Sequence, residues 1–324
     1  MASRFVVSAF CLMLPALSVS AEDVTIRVGY GPGGSYDSMA RVIADHLGDH
    51  LPGSPNVVVE NLPGAGSLKL AKLVMESTET DGSQIATISS ALALAPVFDP
   101  DNRAYDPRQA HYLISMTSAA SYCITPKASG IDTLDAFLTG EFKVGATGKA
   151  STTYVFPAAI KKALDTNYQI VTGFGSATEI DLAMERGDIQ ARCGIGMSNL
   201  FNGDMLERYN VITELSREPK HEIDGVPFLL DRISDPETHE AMKLVLSSSS
   251  IHHPFVAPPA TSEEALDDLL AGFAALATDE DFLADAKKRG LYLSMTDGPT
   301  VEAKIAEYLA SDPAVQDLAR ELVQ

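Results

Sequence analysis

Apolar residues alternate at Ile26, Val28 and Tyr30, stop across Gly31-Pro32-Gly33-Gly34, and return at Met39, Val42, Ile43 and Leu47 with helical spacing. This pattern predicts a strand, a glycine turn and a helix opening near Ser35. The first backbone N–H groups of a helix have no intrahelical partner, and the positive end of its dipole faces outward. An anion can therefore sit at such a junction, and Gly33 and Gly34 let a ligand approach the backbone closely.

The same change of period recurs down the chain. Residues 56–60 read as a β-branched strand, followed by the turn Pro63-Gly64-Ala65-Gly66 and a helix from near Ser67. Residues 84–89 read as a third strand, passing into a helix at Ser89-Ser90-Ala91-Leu92. A second series places strands at 122–125, 142–146, 169–172, 189–193 and 211–215. Its helices start near Thr133, after the polar loop 147–153, and at Ser176-Ala177-Thr178-Glu179, which has the form of a capping box. From about residue 218 the chain is proline-rich and irregular; it closes with helices near 262–277, 280–289 and 300–309, the first opened by a capping box over 261–264. Strands alternating with helices predict an α/β fold of largely parallel sheets flanked by helices. The two series predict two lobes, residues 22–118 with 218–324 and residues 119–217. In open sheets of this kind ligands bind at the carboxyl ends of the strands, so a cleft between the lobes would gather several helix N-termini.

Composition narrows the compartment and the partners. Arg4, the apolar residues 5–17 and Val19-Ser20-Ala21 read as a secretory leader ending at about residue 21, too short in its apolar run to span a bilayer. Cys11 lacks the small neighbours of a lipidated cysteine. The remaining chain, about 303 residues, exceeds what one core usually serves. With 24 basic and 44 acidic residues the formal charge is −20, which argues against nucleic acid or an anionic membrane as partner. A small anion is not excluded, because a local nest of N–H groups can outweigh a distant net charge. Cys123 and Cys193 are open to two readings, a disulfide in an oxidising compartment or two buried thiols. A monomer is the default expectation for the chain.

Several motifs are weaker than they look. Gly29, Gly31 and Gly34 fit G-x-G-x-x-G and Glu60 stands where a ribose-binding acid would, but the chain is exported away from the nicotinamide pool and Ser35-Tyr36-Asp37 departs from the usual continuation. Gly148-Lys149 lacks the flanking residues of a phosphate loop. His46 and His50 are read as part of a solvated helix face rather than metal ligands, and His252 and His253 as loop residues. Asp37 and Arg41 form an i,i+4 pair beside the anion site. No G-x-S-x-G elbow is present and no histidine is evidently placed as a base, which favours a binder over a hydrolase.

Gly31-Pro32-Gly33-Gly34-Ser35-Tyr36-Asp37 with Ala40-Arg41, followed by Val59-Glu60-Asn61-Leu62-Pro63-Gly64-Ala65-Gly66-Ser67, resembles the opening of the extracytoplasmic solute receptors of tripartite tricarboxylate transporters, the Bug or TctC-like receptors. The resemblance continues at Tyr105-Asp106-Pro107, Gly173-Phe174-Gly175-Ser176, residues 182–188 and Pro254-Phe255-Val256-Ala257-Pro258-Pro259. It implies a two-lobed periplasmic binding protein that closes on a small carboxylate and delivers it to a membrane permease, with no cofactor, metal or chemistry. It further implies that two loops, 32–37 and 145–153, hold the carboxylate through backbone N–H groups and hydroxyls. In many members the second loop carries a histidine; here it offers Ser151, Thr152 and Thr153. The candidate ligand-binding residues are Tyr30, Pro32, Gly33, Gly34, Ser35 and Asp37, then Ser89 and Ser90, then Thr147, Gly148, Ser151, Thr152 and Thr153, and finally Gly175 and Ser176.

Overall fold

The computed structural model describes residues 23–101, 104–201 and 203–324; the expected leader lies outside them. In chain order the first elements are β1 (Val24–Val28), α1 (Ser35–Leu47), β2 (Val57–Asn61), α2 (Leu68–Glu76), β3 (Gln84–Thr87), α3 (Ala95–Phe98) and β4 (His111–Thr117). There follow β5 (Ser121–Pro126), α4 (Leu134–Thr139), β6 (Lys143–Gly145), α5 (Thr152–Ala163), β7 (Gln169–Val171), α6 (Ala177–Glu185), β8 (Arg192–Gly196), α7 (Met197–Leu200), α8 (Met205–Arg208) and β9 (Tyr209–Leu215). The last stretch holds α9 (Pro236–Leu246), β10 (His252–Ala257), α10 (Glu263–Leu276), α11 (Glu280–Lys288), β11 (Thr296–Asp297), α12 (Gly298–Leu309) and α13 (Pro313–Val323). None of the described helices is long and apolar enough to cross a membrane.

One sheet has the order β11-β4-β10-β3-β1-β2. Its β2-β1-β3 portion is parallel, whereas β10 runs antiparallel to both β3 and β4. The sheet is thus mixed where sequence pattern predicted parallel pairing, because β4 and β10, neither foreseen, enter between β3 and β11. Both faces are covered. Ile85 and Phe255 pack with Ile26, Met39 and Ile43 on one side, and their neighbours Ala86 and Val256 pack with Leu70, Val301 and Ile305 on the other. Such burial on both faces explains why β3, β4 and β10 lack the alternation that β1 keeps.

The remaining strands form an antiparallel trio, β8-β5-β9, and a parallel pair, β6-β7. Cys123 on β5 faces Cys193 on β8 in register, and the two are disulfide-bonded, which decides between the two readings of the cysteines. Around them Phe137, Val144, Phe156 and Ile160 pack with Met242 and Val245 of α9 and with Leu322 and Val323 of α13. The proline-rich stretch after residue 218 therefore holds a helix, α9, started by Pro236 and capped by Asp235, whose carboxylate accepts from Thr238 N–H.

Three local expectations change in the fold. β1 ends at Val28, so Tyr30 is buried in the loop beyond it. Ser262, not Thr261, caps α10. His46 and His50 are no solvated face: Nε2 of His46 lies 3.3 Å from Asp285 and that of His50 2.7 Å from Asp279, tying α1 and the turn after it to α11. No group of three or more histidine, cysteine or carboxylate side chains among the described residues could hold a metal ion.

Candidate functional site

The loop from Gly29 to Gly34 is shaped by Asp37. This residue is only 4% exposed, and its Oδ2 accepts the Gly33 N–H at 2.9 Å while Asn61 Nδ2 donates to its Oδ1 at 2.9 Å and to the Tyr30 carbonyl at 3.0 Å. Arg41 completes a two-pronged contact with the same carboxylate. Burial alone would push the Asp37 carboxyl up; the hydrogen bonds from Arg41, Gly33 and Asn61 outweigh it and hold the group below the ordinary range. Gly33 sits at φ +86°, where residues with a Cβ are strained. These contacts use the Gly33 N–H inside the loop and leave the start of α1 open, for its N-cap, Gly34, supplies no side-chain acceptor.

Opposite it stand the starts of two other helices. Ser151 caps α5, its Oγ accepting from Thr153 N–H at 3.1 Å, and Thr147 N–H donates to Thr153 Oγ1 at 3.0 Å. Ser176 caps α6 through Glu179 N–H. Backbone meets backbone at both ends of the cleft between these loops. Gly31 N–H donates to the Gly175 carbonyl at 2.9 Å, and a Cβ added at Gly148 would fall 2.4 Å from the Gly66 nitrogen.

Between these contacts lies a cavity lined by Tyr30, Gly34, Ser35, Tyr36, Thr147, Ser151, Thr152, Thr153, Ala177, Arg192, Gly194, Asn199 and His252. Its volume, about 30 Å³, has room for about two water molecules. A space of this size is too small for an organic acid.

Seven residues singled out from sequence meet at the cavity: Tyr30, Gly34, Ser35, Thr147, Ser151, Thr152 and Thr153. Eight do not line it. Pro32 and Gly33 are exposed to solvent, and Asp37 is enclosed by its partners. Ser89 and Ser90 are buried behind the tyrosines, with Ser90 N–H donating to Tyr36 Oη at 3.3 Å. Gly148 and Gly175 make the contacts between loops described above, and Ser176 spends its hydroxyl on capping α6.

Sequence reasoning missed Tyr36, Arg192, Asn199 and His252. Arg192 is 1% exposed; Nη2 donates to Asp181 Oδ2 at 3.1 Å, and Nε approaches Oδ1 to 2.6 Å without a hydrogen-bonding angle. Burial pushes the Asp181 carboxyl up in spite of this partner. A lone arginine inside the otherwise apolar run 191–196 was the signal available. His252 and His253 start β10 instead of lying in a loop, and their rings stack at 4.4 Å. Burial pushes His252 down to about 4, and burial with His252 beside it holds His253 well below the ordinary imidazole range. His253 reaches Ser35, so a histidine does stand beside a cleft serine.

No family model matches this chain, and no curated protein sequence does. Solved structures do. The periplasmic binding protein BugD is 16% identical, with a TM-score of 0.72 over 93% of this chain and 98% of that one. MatC from Rhodopseudomonas palustris, solved with malate, is 18% identical, with a TM-score of 0.69 over 94% and 99%. Rpa4515 of R. palustris, solved with adipate, is 15% identical, with a TM-score of 0.71 over 92% and 97%. The chain shares the fold of these periplasmic binding proteins over more than nine-tenths of its length.

Proposed function

We propose that this protein is an extracytoplasmic receptor of the Bug type, exported by its leader to the periplasm, which captures a small carboxylate between two lobes and hands it to a tripartite tricarboxylate permease. The observation that carries the reading is the start of α1. Its N-cap has no side-chain acceptor, it opens on the cavity at Gly34 and Ser35, and the opposing loop offers hydroxyls. Backbone donors at a helix N-terminus hold a carboxylate without the cost of burying a lone cation. The lobes are residues 22–118 with 218–324 and residues 119–217, although α9 and α13 lean on the second. Closing the cleft would exclude water from the carboxylate, and binding would shift the protein toward the closed form by the ligand's preference for it.

The proximal carboxylate sits at Gly34, Ser35 and Thr152, and Arg192 with Asn199 stands toward the rest of the molecule. The fold relatives solved with malate and adipate support an organic acid as ligand. No step of this function needs a cofactor, and the receptor acts as a monomer without turnover. A thermal-shift screen against malate, adipate, citrate and the matching amides tests it. At a hundred times its dissociation constant a ligand adds about 2.7 kcal/mol of stability. Stabilisation by an acid and not by its amide is expected; stabilisation by nucleotides or by no acid overturns the reading. Loss of uptake in a deletion strain assigns the receptor to transport, and loss of gene induction with intact uptake assigns it to a sensor kinase.

A further inference from the structure

Behind the cleft, Ser35 ends a chain of three hydrogen-bonding side chains drawn from separate elements. Its Oγ lies 2.9 Å from Nε2 of His253, and Nδ1 of the same ring lies 3.1 Å from Oγ1 of Thr117. His253 is 1% exposed, and its backbone sits at φ +52°, a region that residues with a Cβ occupy at a cost. The ring is packed by Tyr36 at 4.5 Å and His252 at 4.4 Å, and its hydrogen-bonding partners among the described residues are hydroxyls. A sealed, neutral imidazole is thus held on both nitrogens and aimed at a residue that lines the cavity.

A neutral imidazole has one N–H and one lone pair, so the neighbours decide which way the chain runs. In one direction Thr117 donates to Nδ1, Nε2–H donates to Ser35 Oγ, and the Ser35 O–H is free to donate into the cleft. In the other, Thr117 donates to the His252 carbonyl, Nδ1–H donates to Thr117, and the Ser35 O–H is consumed by Nε2. The second requires Thr117 to reach the His252 carbonyl across 3.4 Å, and that carbonyl already accepts from Ser115 Oγ at 3.0 Å. Both directions keep the contact between Thr117 and the ring, and a carbonyl can accept twice, so they differ in where Thr117 gives its proton. It goes to Nδ1 at 3.1 Å in the first and to the carbonyl at 3.4 Å in the second; the shorter bond favours the first.

We propose that His253 is a positioning residue that fixes the Ser35 hydroxyl as a hydrogen-bond donor to the ligand's carboxylate, alongside the open N–H groups of α1. This rests on the carboxylate reading. The reverse direction would turn serine lone pairs toward the carboxylate, and would leave the imidazole as a base on a serine at a helix start, the arrangement of an activated nucleophile.

Long-range ¹H–¹⁵N spectra of the intact protein, with His253 assigned by comparison with H253Q, read the tautomer without any ligand. A proton on Nε2 and none on Nδ1 is expected, with the Nε2 signal moving in S35A. The opposite tautomer, or an imidazolium at pH 7, overturns the proposal, as does a covalent adduct of Ser35 with a fluorophosphonate probe. Calorimetry with malate and with adipate then reads the use of the donor. S35A and H253L are each expected to lose about tenfold in affinity, and the double variant no more than the worse single. H253Q, whose amide N–H can still reach Ser35, should recover most of it, whereas a merely structural role would not distinguish glutamine from leucine. Unchanged affinity in S35A overturns the proposal. Failure of either acid to bind the unaltered protein overturns the carboxylate reading, and with it the donor's partner, while the spectrum still reports the tautomer.

Discussion

The two loops that face each other across the cleft differ in what they do with their own donors. In the loop of the six-stranded sheet, Asp37, Asn61 and Arg41 fasten the turn from the outside, and the start of α1 is left with no side-chain acceptor. In the opposing loop, Ser151 caps α5 and Thr147, Ser151 and Thr153 bond to one another. One loop presents free backbone N–H groups and the other satisfies its own. On the proposed reading the first is an anchor for an anion, and the second a lid that closes on it with little besides the Thr152 hydroxyl to offer.

The strongest way to break this comparison is to fill the anchor. A Cβ at Gly34 would meet nothing within 4 Å, so Gly34→Val is expected to fold normally and to place its methyl groups where the carboxylate is proposed to sit. Binding should fall below detection by calorimetry while the melting temperature of the free protein stays put. Wild-type affinity in this variant would remove α1 from the site. The lid fails differently. Gly148→Val puts a side chain against the Gly66 and Ala65 backbone, 2.4 and 2.5 Å from a built Cβ, and should hold the lobes apart. Affinity is expected to fall about a hundredfold, the share that closure contributes when it costs about 2.7 kcal/mol more. Small-angle scattering should show an expanded protein even with ligand in excess.

Much of the anchor was legible in sequence and little of what stands behind it. The strand, the glycine turn and the helix at 26–47 follow from a period change that only local geometry governs. The cavity's other wall depends on β8 and β10, and here the pattern gave no help. Arg192 belongs to a strand whose neighbours are apolar because both faces are packed, and its acid partner, Asp181, is on α6. His252 and His253 precede a proline, which reads as a loop, yet Pro254 is accommodated opposite Ser115 where β10 joins β4. Strand pairing over more than a hundred residues of chain leaves no trace in a window of ten. The fold class survived because helix and strand alternate throughout, while the mixed pairing of the first sheet needed β4 and β10, strands the pattern did not contain.

The anchor rests on the two buried histidines, and pH tests that support. An imidazole held below its ordinary 6.5 stays neutral in the fold while the unfolded chain takes up protons. The unfolded state therefore gains as pH falls, and stability is lost from about pH 6.5 downward, with the His252 share levelling off near pH 4. Between pH 6.5 and 5 the His252 ring should contribute roughly 1 to 2 kcal/mol of loss, and His253 should add to it in the same direction. Denaturant titrations should show this slope in the unaltered protein and about half of it in His252→Asn. An equal slope in both would mean that His252 is not sealed beneath the cleft.

The smallest effect separates two neighbours on the lid. Ser151 uses its hydroxyl on Thr153 N–H, so Ser151→Ala removes a cap and should cost about 1 kcal/mol of stability with little change in affinity. Thr152 lies at the cavity with no hydrogen bond to its hydroxyl from the loop around it. Thr152→Val keeps the shape and should leave stability nearly unchanged, yet weaken binding about fivefold, the worth of about 1 kcal/mol for one hydrogen bond. The two variants thus exchange places between a melting curve and a binding isotherm. If Ser151→Ala weakened binding more than Thr152→Val, the lid's hydroxyl cluster would be opening to the ligand, and the contrast between a free anchor and a self-satisfied lid would fail on the lid's side.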